Sequence, residues 1–175
     1  MLIGTGIDFP FGASTSKFKA LETEYAVHLG CTTVDMVMNI GALKDKRYDV
    51  ISQEFNEFAK AAGNAVTKVI IEVFFLTDTE IADACKLICE AGIRYAKTSS
   101  GQFEGPSMEQ FLIMRDTLKN SEVKLKVAGV KFPRPQNAYA FILAGASLIG
   151  TRSAPEIIEA LDQMREIGLV PKYRD

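Results

Sequence analysis

The sequence has no tryptophan, a single histidine (His28) and only three cysteines, Cys31, Cys85 and Cys89. With one histidine, a Ser-His-Asp triad is a poor expectation. An odd number of cysteines leaves at least one unpaired within the chain, which suits a reducing, cytoplasmic setting better than a disulfide scaffold. Charge of one sign is also missing: 20 Lys and Arg face 22 Asp and Glu, for a net charge of −2. A broad electrostatic surface for nucleic acid is therefore not expected. No apolar run approaches the roughly 18 residues that a membrane span requires. The first ten residues lack the basic region and apolar core of a signal peptide. Neither nucleic acid nor membrane is an expected partner.

What is present points to one globular unit. Of the 175 residues, 47% are apolar and 24% charged. A domain of this length buries roughly 70% of the surface its unfolded chain exposes. One rhythm runs through it, in which a short apolar run, a turn and an amphipathic stretch repeat. Strands are predicted at 2–9, 33–39, 67–75, 94–99, 123–128 and 147–150, and helices at 16–29, 49–62, 78–91, 107–118, 135–144 and 155–167. Gly30, Gly63, Gly92, Gly145 and Gly168 each follow a helical stretch, where a left-handed cap is wanted. Asp78 and Glu80 open one helix, and Pro155 suits the first turn of the last. The rhythm spans 1–168 as a single domain, with 169–175 as a tail. Six strand–helix repeats imply a parallel sheet, either open and doubly wound or a (β/α) barrel. Gly4-x-Gly6 does not extend to a dinucleotide fingerprint, because position 9 is Phe.

Parallel strands are usually buried on both faces and continuously apolar. Here polar residues interrupt them with period two, which puts them on one face. Asp35 shares a face with Asn39, Lys68 with Glu72, Lys97 with Tyr95 and Ser99, and Lys124 with Lys126. Buried charges pair or serve chemistry. Convergence of these faces predicts an interior holding Asp35, Lys68, Glu72, Lys97 and Lys126; the plainer alternative is a salt-bridge network such as Lys68 with Glu72. A free lysine, with a pKa near 10.4, is a poor nucleophile at neutral pH. Desolvation and a second cation both favour its neutral form. A lysine pair in a closed interior can therefore supply an amine that attacks a carbonyl and forms a Schiff base, with the carboxylate moving protons.

These strands resemble deoxyribose-phosphate aldolase, a class I, Schiff-base aldolase on a TIM barrel. The resemblance rests on Ile7-Asp8-Phe9-Pro10-Phe11-Gly12, Val34-Asp35-Met36-Val37-Met38-Asn39, Lys68-Val69-Ile70-Ile71-Glu72, Ala96-Lys97-Thr98-Ser99-Ser100-Gly101, Lys126-Val127-Ala128-Gly129 and Gly145 to Ser153. It implies Lys97 as the imine-forming nucleophile, Lys126 as the cation that depresses its pKa, and Asp35 as proton relay. Ser100 and Lys68 would orient substrate. Backbone amides at Gly129, Val130, Gly150, Thr151, Arg152 and Ser153 would hold a phosphate, with Arg152 adding a side-chain contact. The implied reaction cleaves 2-deoxyribose 5-phosphate to glyceraldehyde 3-phosphate and acetaldehyde, with no metal or organic cofactor. A weak or inactive relative that binds a phosphorylated ligand is the alternative. The sequence departs from the family at Asp8, Gln102, Val130 and 131–135, and a Cβ at Val130 is expected to crowd the phosphate.

The resemblance also predicts an incomplete barrel of about six parallel strands. A TIM barrel typically takes about 250 residues, and this chain begins at what resembles strand three. Its outer strands would then be open edges, expected to be covered by self-association into a homo-oligomer. Other signals are read as structural. Cys85 and Cys89 form a helix core face, His28 lies near a helix end, and Lys44 to Arg47 form a solvated loop. Tyr173 belongs to the tail rather than to a lid.

Overall fold

A computed structural model describes residues 2–172; the expectation for Tyr173 lies outside them. Strands β1 (Gly4–Ile7), β2 (Thr33–Val37), β3 (Val66–Ile70), β4 (Tyr95–Lys97), β5 (Lys124–Ala128) and β6 (Leu148–Gly150) form one sheet. Every pair is parallel, and the order is β1-β2-β3-β4-β5-β6. A doubly wound sheet reverses its strand order partway, whereas here each strand lies beside the next in sequence. The sheet is thus a curled half-barrel of six strands.

The helices are α1 (Ser16–His28), α2 (Ile40–Lys44), α3 (Tyr48–Ala62), α4 (Asp78–Glu90), α5 (Met108–Leu118), α6 (Arg134–Leu143), α7 (Ala154–Glu159) and α8 (Leu161–Glu166). Their ends follow local chemistry. At α4, Thr77 accepts from the Glu80 N–H while Glu80 accepts from the Thr77 N–H, and Ser107 and Gln110 repeat this box at α5. The five glycines expected after helices all have positive φ.

The outward-facing strand residues Met36, Val69, Ala96 and Val127 pack with Phe55, Phe58 and Phe111 of the helices, so the core lies between sheet and helix layer. The inward-facing positions alternate with these and carry the polar residues.

Several expectations are corrected. The predicted strand 67–75 stops at Ile70, and Val73–Phe75 is a 3₁₀ turn. The last helix breaks at Ala160 into α7 and α8. Residues 40–43, which the sequence left without an element, and Lys44, expected in a loop, form a short helix capped by the Asn39 side chain, which accepts from the Ala42 N–H at 3.0 Å. Asn39 therefore leaves the face of Asp35. Of the two helix thiols, Cys85 is buried but Cys89 is exposed. Burial pushes the Cys85 thiol up to about 12. His28 closes α1 on the surface, as expected. Among the described residues no helix is long and apolar enough to cross a membrane.

Candidate active site

Register aligns Asp35 on β2 with Lys68 on β3, and Lys97 on β4 with Lys126 on β5. In a flat sheet β2 and β5 stand three strand spacings apart, about 14 Å. Curl of the sheet, together with the length of the lysine side chains, closes that gap. Asp35 Oδ2 accepts from Lys126 Nζ at 2.6 Å and from Lys97 Nζ at 3.0 Å, and Asp35 Oδ1 lies 3.0 Å from Lys68 Nζ. Lys68 Nζ also donates to the Thr33 hydroxyl, and it lies over the Tyr95 ring, 5.7 Å from the centroid. One carboxylate thus collects three ammonium groups, on a site only 5–17% exposed at its side chains.

The electrostatics follow from this count. Burial pushes Asp35 up, but Lys97, Lys126 and Lys68 outweigh it and hold the carboxyl at about 2. For Lys97 burial is the largest influence and lowers the pKa. Asp35 opposes it, Lys126 and Lys68 reinforce it, and the net direction is downward. The lysine expected to act as a nucleophile is the one pushed toward its neutral form.

These groups line a cleft of about 460 Å³. Its far wall is β1, where Gly4, Thr5 and Gly6 face it with Phe9 beside them. Sequence reading weighed Gly4-x-Gly6 only as a dinucleotide fingerprint and did not assign this wall or Thr33 to the site. Glycine spacing on β1 was a signal, since side chains at positions 4 and 6 would collide with Thr33 and Phe9.

The remaining expected residues fall into two groups. Gly129 and Val130 leave β5 while Thr151, Arg152 and Ser153 leave β6, and the register pairs Ala128 with Gly150. The loops after these neighbouring strands therefore share one rim. Gly150 packs against Lys126, since a Cβ there would meet the lysine Cε at 3.3 Å. Val130 is buried and joins the hydrophobic core, so its side chain is accounted for there. Arg152 is exposed. The Ser100 hydroxyl accepts from the Gln102 N–H at 3.1 Å. Glu72, by contrast, does not join the lysines: its carboxyl accepts from the Ser100 N–H at 3.0 Å. Lys68 pairs with Asp35 and not with Glu72, and Lys124 is exposed at the outer end of β5.

No family model matches the chain. Curated relatives do. The deoxyribose-phosphate aldolase of Mycoplasma capricolum is 41% identical over 153 residues, covering 87% of this chain and 68% of the relative. That of Brevibacillus brevis is 43% identical over 155 residues, covering 88% and 69%. The chain belongs to the deoxyribose-phosphate aldolase family. This places it among carbon–carbon lyases. Solved structures agree in fold. The aldolase QR15 superposes with a TM-score of 0.86 at 31% identity, over 96% of this aldolase-family chain and 76% of QR15. A deoxyribose phosphate aldolase from Aeropyrum pernix, described as a unique tetramer, gives 0.82 at 24% identity over 97% and 70% of the two chains.

Proposed function

We propose that this chain is a class I aldolase that works through an imine on Lys97, with 2-deoxyribose 5-phosphate as the substrate. The observation that carries the reading is a buried lysine amine, lowered in pKa, held 3.0 Å from a carboxylate that two further lysines share. The neutral amine adds to the C1 aldehyde of the open-chain sugar, and loss of water gives the imine. The C3 hydroxyl loses its proton, the C2–C3 bond breaks, and its electron pair moves into the imine to leave an enamine. Glyceraldehyde 3-phosphate departs. The enamine takes a proton at C2, and hydrolysis releases acetaldehyde and restores Lys97. Asp35 exchanges the protons, directly or through water, and Lys126 keeps the amine from recapturing one. The imine is itself the electron sink, so the sequence of steps calls on no metal or organic cofactor.

The phosphate would rest on the rim of Gly129, Val130 and Gly150 to Ser153, with the Arg152 guanidinium reaching over it, while Ser100 and Lys68 orient the sugar hydroxyls. The protein's free thiols fit a cytoplasmic setting. Apolar side chains are exposed at both ends of the sheet: Leu2, Ile3, Phe18, Leu21 and Tyr25 beside β1, and Leu143, Leu148 and Ile158 beside β6. They support self-association as the cover for these edges; a monomeric particle by light scattering at micromolar concentration overturns that part.

Borohydride reduction in the presence of acetaldehyde tests the chemistry. The expected result is one covalent adduct on Lys97, absent from Lys97→Ala. An unlabelled wild-type chain, under conditions that label another class I aldolase, overturns the reading and favours an anion-binding module.

A further inference from the structure

Strand β3 ends at Ile70, yet the chain beyond it stays bonded to the continuation of β4. The Ile71 N–H donates to the Lys97 carbonyl and the Val73 N–H to the Thr98 carbonyl, both at 3.0 Å. Between them Glu72 has a φ of 52°, a left-handed conformation that a non-glycine residue keeps only where its surroundings hold it. From that turn its side chain supplies a third link, accepting the Ser100 N–H at 3.0 Å. Three hydrogen bonds from one short segment thus grip the Lys97 and Thr98 carbonyls and the Ser100 amide.

Glu72 is wholly buried, and its second carboxyl oxygen, Oε1, has no hydrogen-bond partner among the described residues. Burying a carboxyl with one oxygen unmet is costly, and an apolar side chain would fill the space at less cost. The feature such a replacement lacks is the acceptor for Ser100. The consequence reaches the amine. Lys97 Nζ must stay within hydrogen-bond reach of Asp35, and misplacement of a reacting group by about 1 Å can cost about 10²-fold in rate.

We propose that Glu72 is a positioning residue for the imine chemistry: its carboxyl, seated by the left-handed turn after β3, fixes the backbone of residues 97–100 and thereby aims the Lys97 amine. This rests on the reading of Lys97 as nucleophile. The test is the rate of adduct formation on Lys97 at saturating acetaldehyde, quenched by borohydride at timed intervals, in the full chain carrying Glu72→Ala, Glu72→Asp or Glu72→Gln. Amide exchange over residues 97–103 is followed alongside.

The Ala and Asp variants are expected to form adduct about ten- to hundredfold more slowly, with the aldehyde concentration for half-maximal rate little changed and the Ser100 amide exchanging faster. Glu72→Gln, which keeps a carbonyl acceptor, is expected within about threefold of the wild type. A residue that only stabilises the fold would lower the melting temperature without this split or this rescue. Should Glu72→Ala fail to fold, the Asp and Gln variants decide the matter. Wild-type rates in folded Asp and Ala variants, or a Gln variant as slow as them, overturn the proposal alone. A wild-type chain that forms no adduct overturns the Lys97 reading instead, and amide exchange still reports whether Glu72 holds Ser100.

Discussion

Two clusters of buried charge sit within a few strands of each other and are built on opposite terms. Between α1, α3 and the ends of β1 and β2, Lys19 is wholly buried. It donates to Glu54 Oε2 at 2.6 Å, to the Val37 carbonyl at 2.8 Å and to the Gly12 carbonyl at 3.0 Å. All three ammonium protons are matched, and the other Glu54 oxygen accepts from the Asn39 N–H. On the inner face of the curl the ratio is reversed, with three lysines drawn to the two oxygens of Asp35. The first cluster fixes a loop and two helices. The second holds more cations than its carboxylate can neutralise; burial first, and then the neighbouring Lys126 and Lys68, push Lys97 toward the neutral amine against the pull of Asp35. A buried lysine with every proton matched is held in place; one that shares a carboxylate with two others is left nearer its neutral form, as the proposed imine chemistry requires.

The largest expected effect on this contrast comes from Asp35→Asn. Removing the charge that opposes deprotonation of Lys97 lowers the amine pKa further, so borohydride trapping should persist and extend to lower pH. Proton transfer is lost, and carbon–carbon bond turnover should fall by about 10²–10⁴-fold. Parallel loss of trapping and turnover would show that the carboxylate does no separate work. Next, Lys19→Met strands Glu54 and two carbonyls and is expected to destabilise the fold by about 3–5 kcal/mol in denaturant titration, with turnover per folded molecule retained. A stable Lys19→Met, or a folded but inactive one, would erase the distinction between the clusters.

The smallest effect is in acid, where the two clusters should respond with opposite signs. The Asp35 carboxyl falls from an ordinary 3.8 to about 2 on folding. It therefore contributes stability, about 2 kcal/mol, above pH 4, and this is lost as pH falls through about 2. Burial raises Glu54 even against Lys19, so protonation of Glu54 favours the folded state as pH falls through that raised value. Denaturant midpoints measured against pH should show the acid loss in the wild type and not in Asp35→Asn, and Glu54→Gln should make the loss steeper by removing the opposing gain.

The inner cluster was legible in the sequence because it is written in strand periodicity. Asp35, Lys68, Lys97 and Lys126 each interrupt an apolar strand on the same alternating face, and parallel register brings them together. The repeat of six strands and the glycine stops were legible for the same local reason. The outer cluster was not. Lys19 lies on a helix whose exposed positions include Phe18, Leu21 and Tyr25, so no apolar stripe marks the side turned inward. Its partners come from positions 8, 12, 37 and 54, which no spacing rule connects. Glu72 was grouped with the lysines, and does not join them, for a related reason. Alternation carries a prediction only while the strand lasts; β3 ends at Ile70, and two residues on the backbone at Glu72 is left-handed. Asn39 failed likewise once its side chain became a helix cap.

The loops that follow β4 and β5 meet at Gly105 and Gly129, where a Cβ on Gly105 would come within 1.8 Å of the Gly129 carbonyl oxygen. With bare main chain on both sides there is no side chain to yield, so the two loops keep a common spacing. A shift in the stretch leading to Val130 must be taken up by the stretch that leaves Gly101, so the rim proposed for the phosphate and the backbone after Lys97 are tied to each other through two glycines.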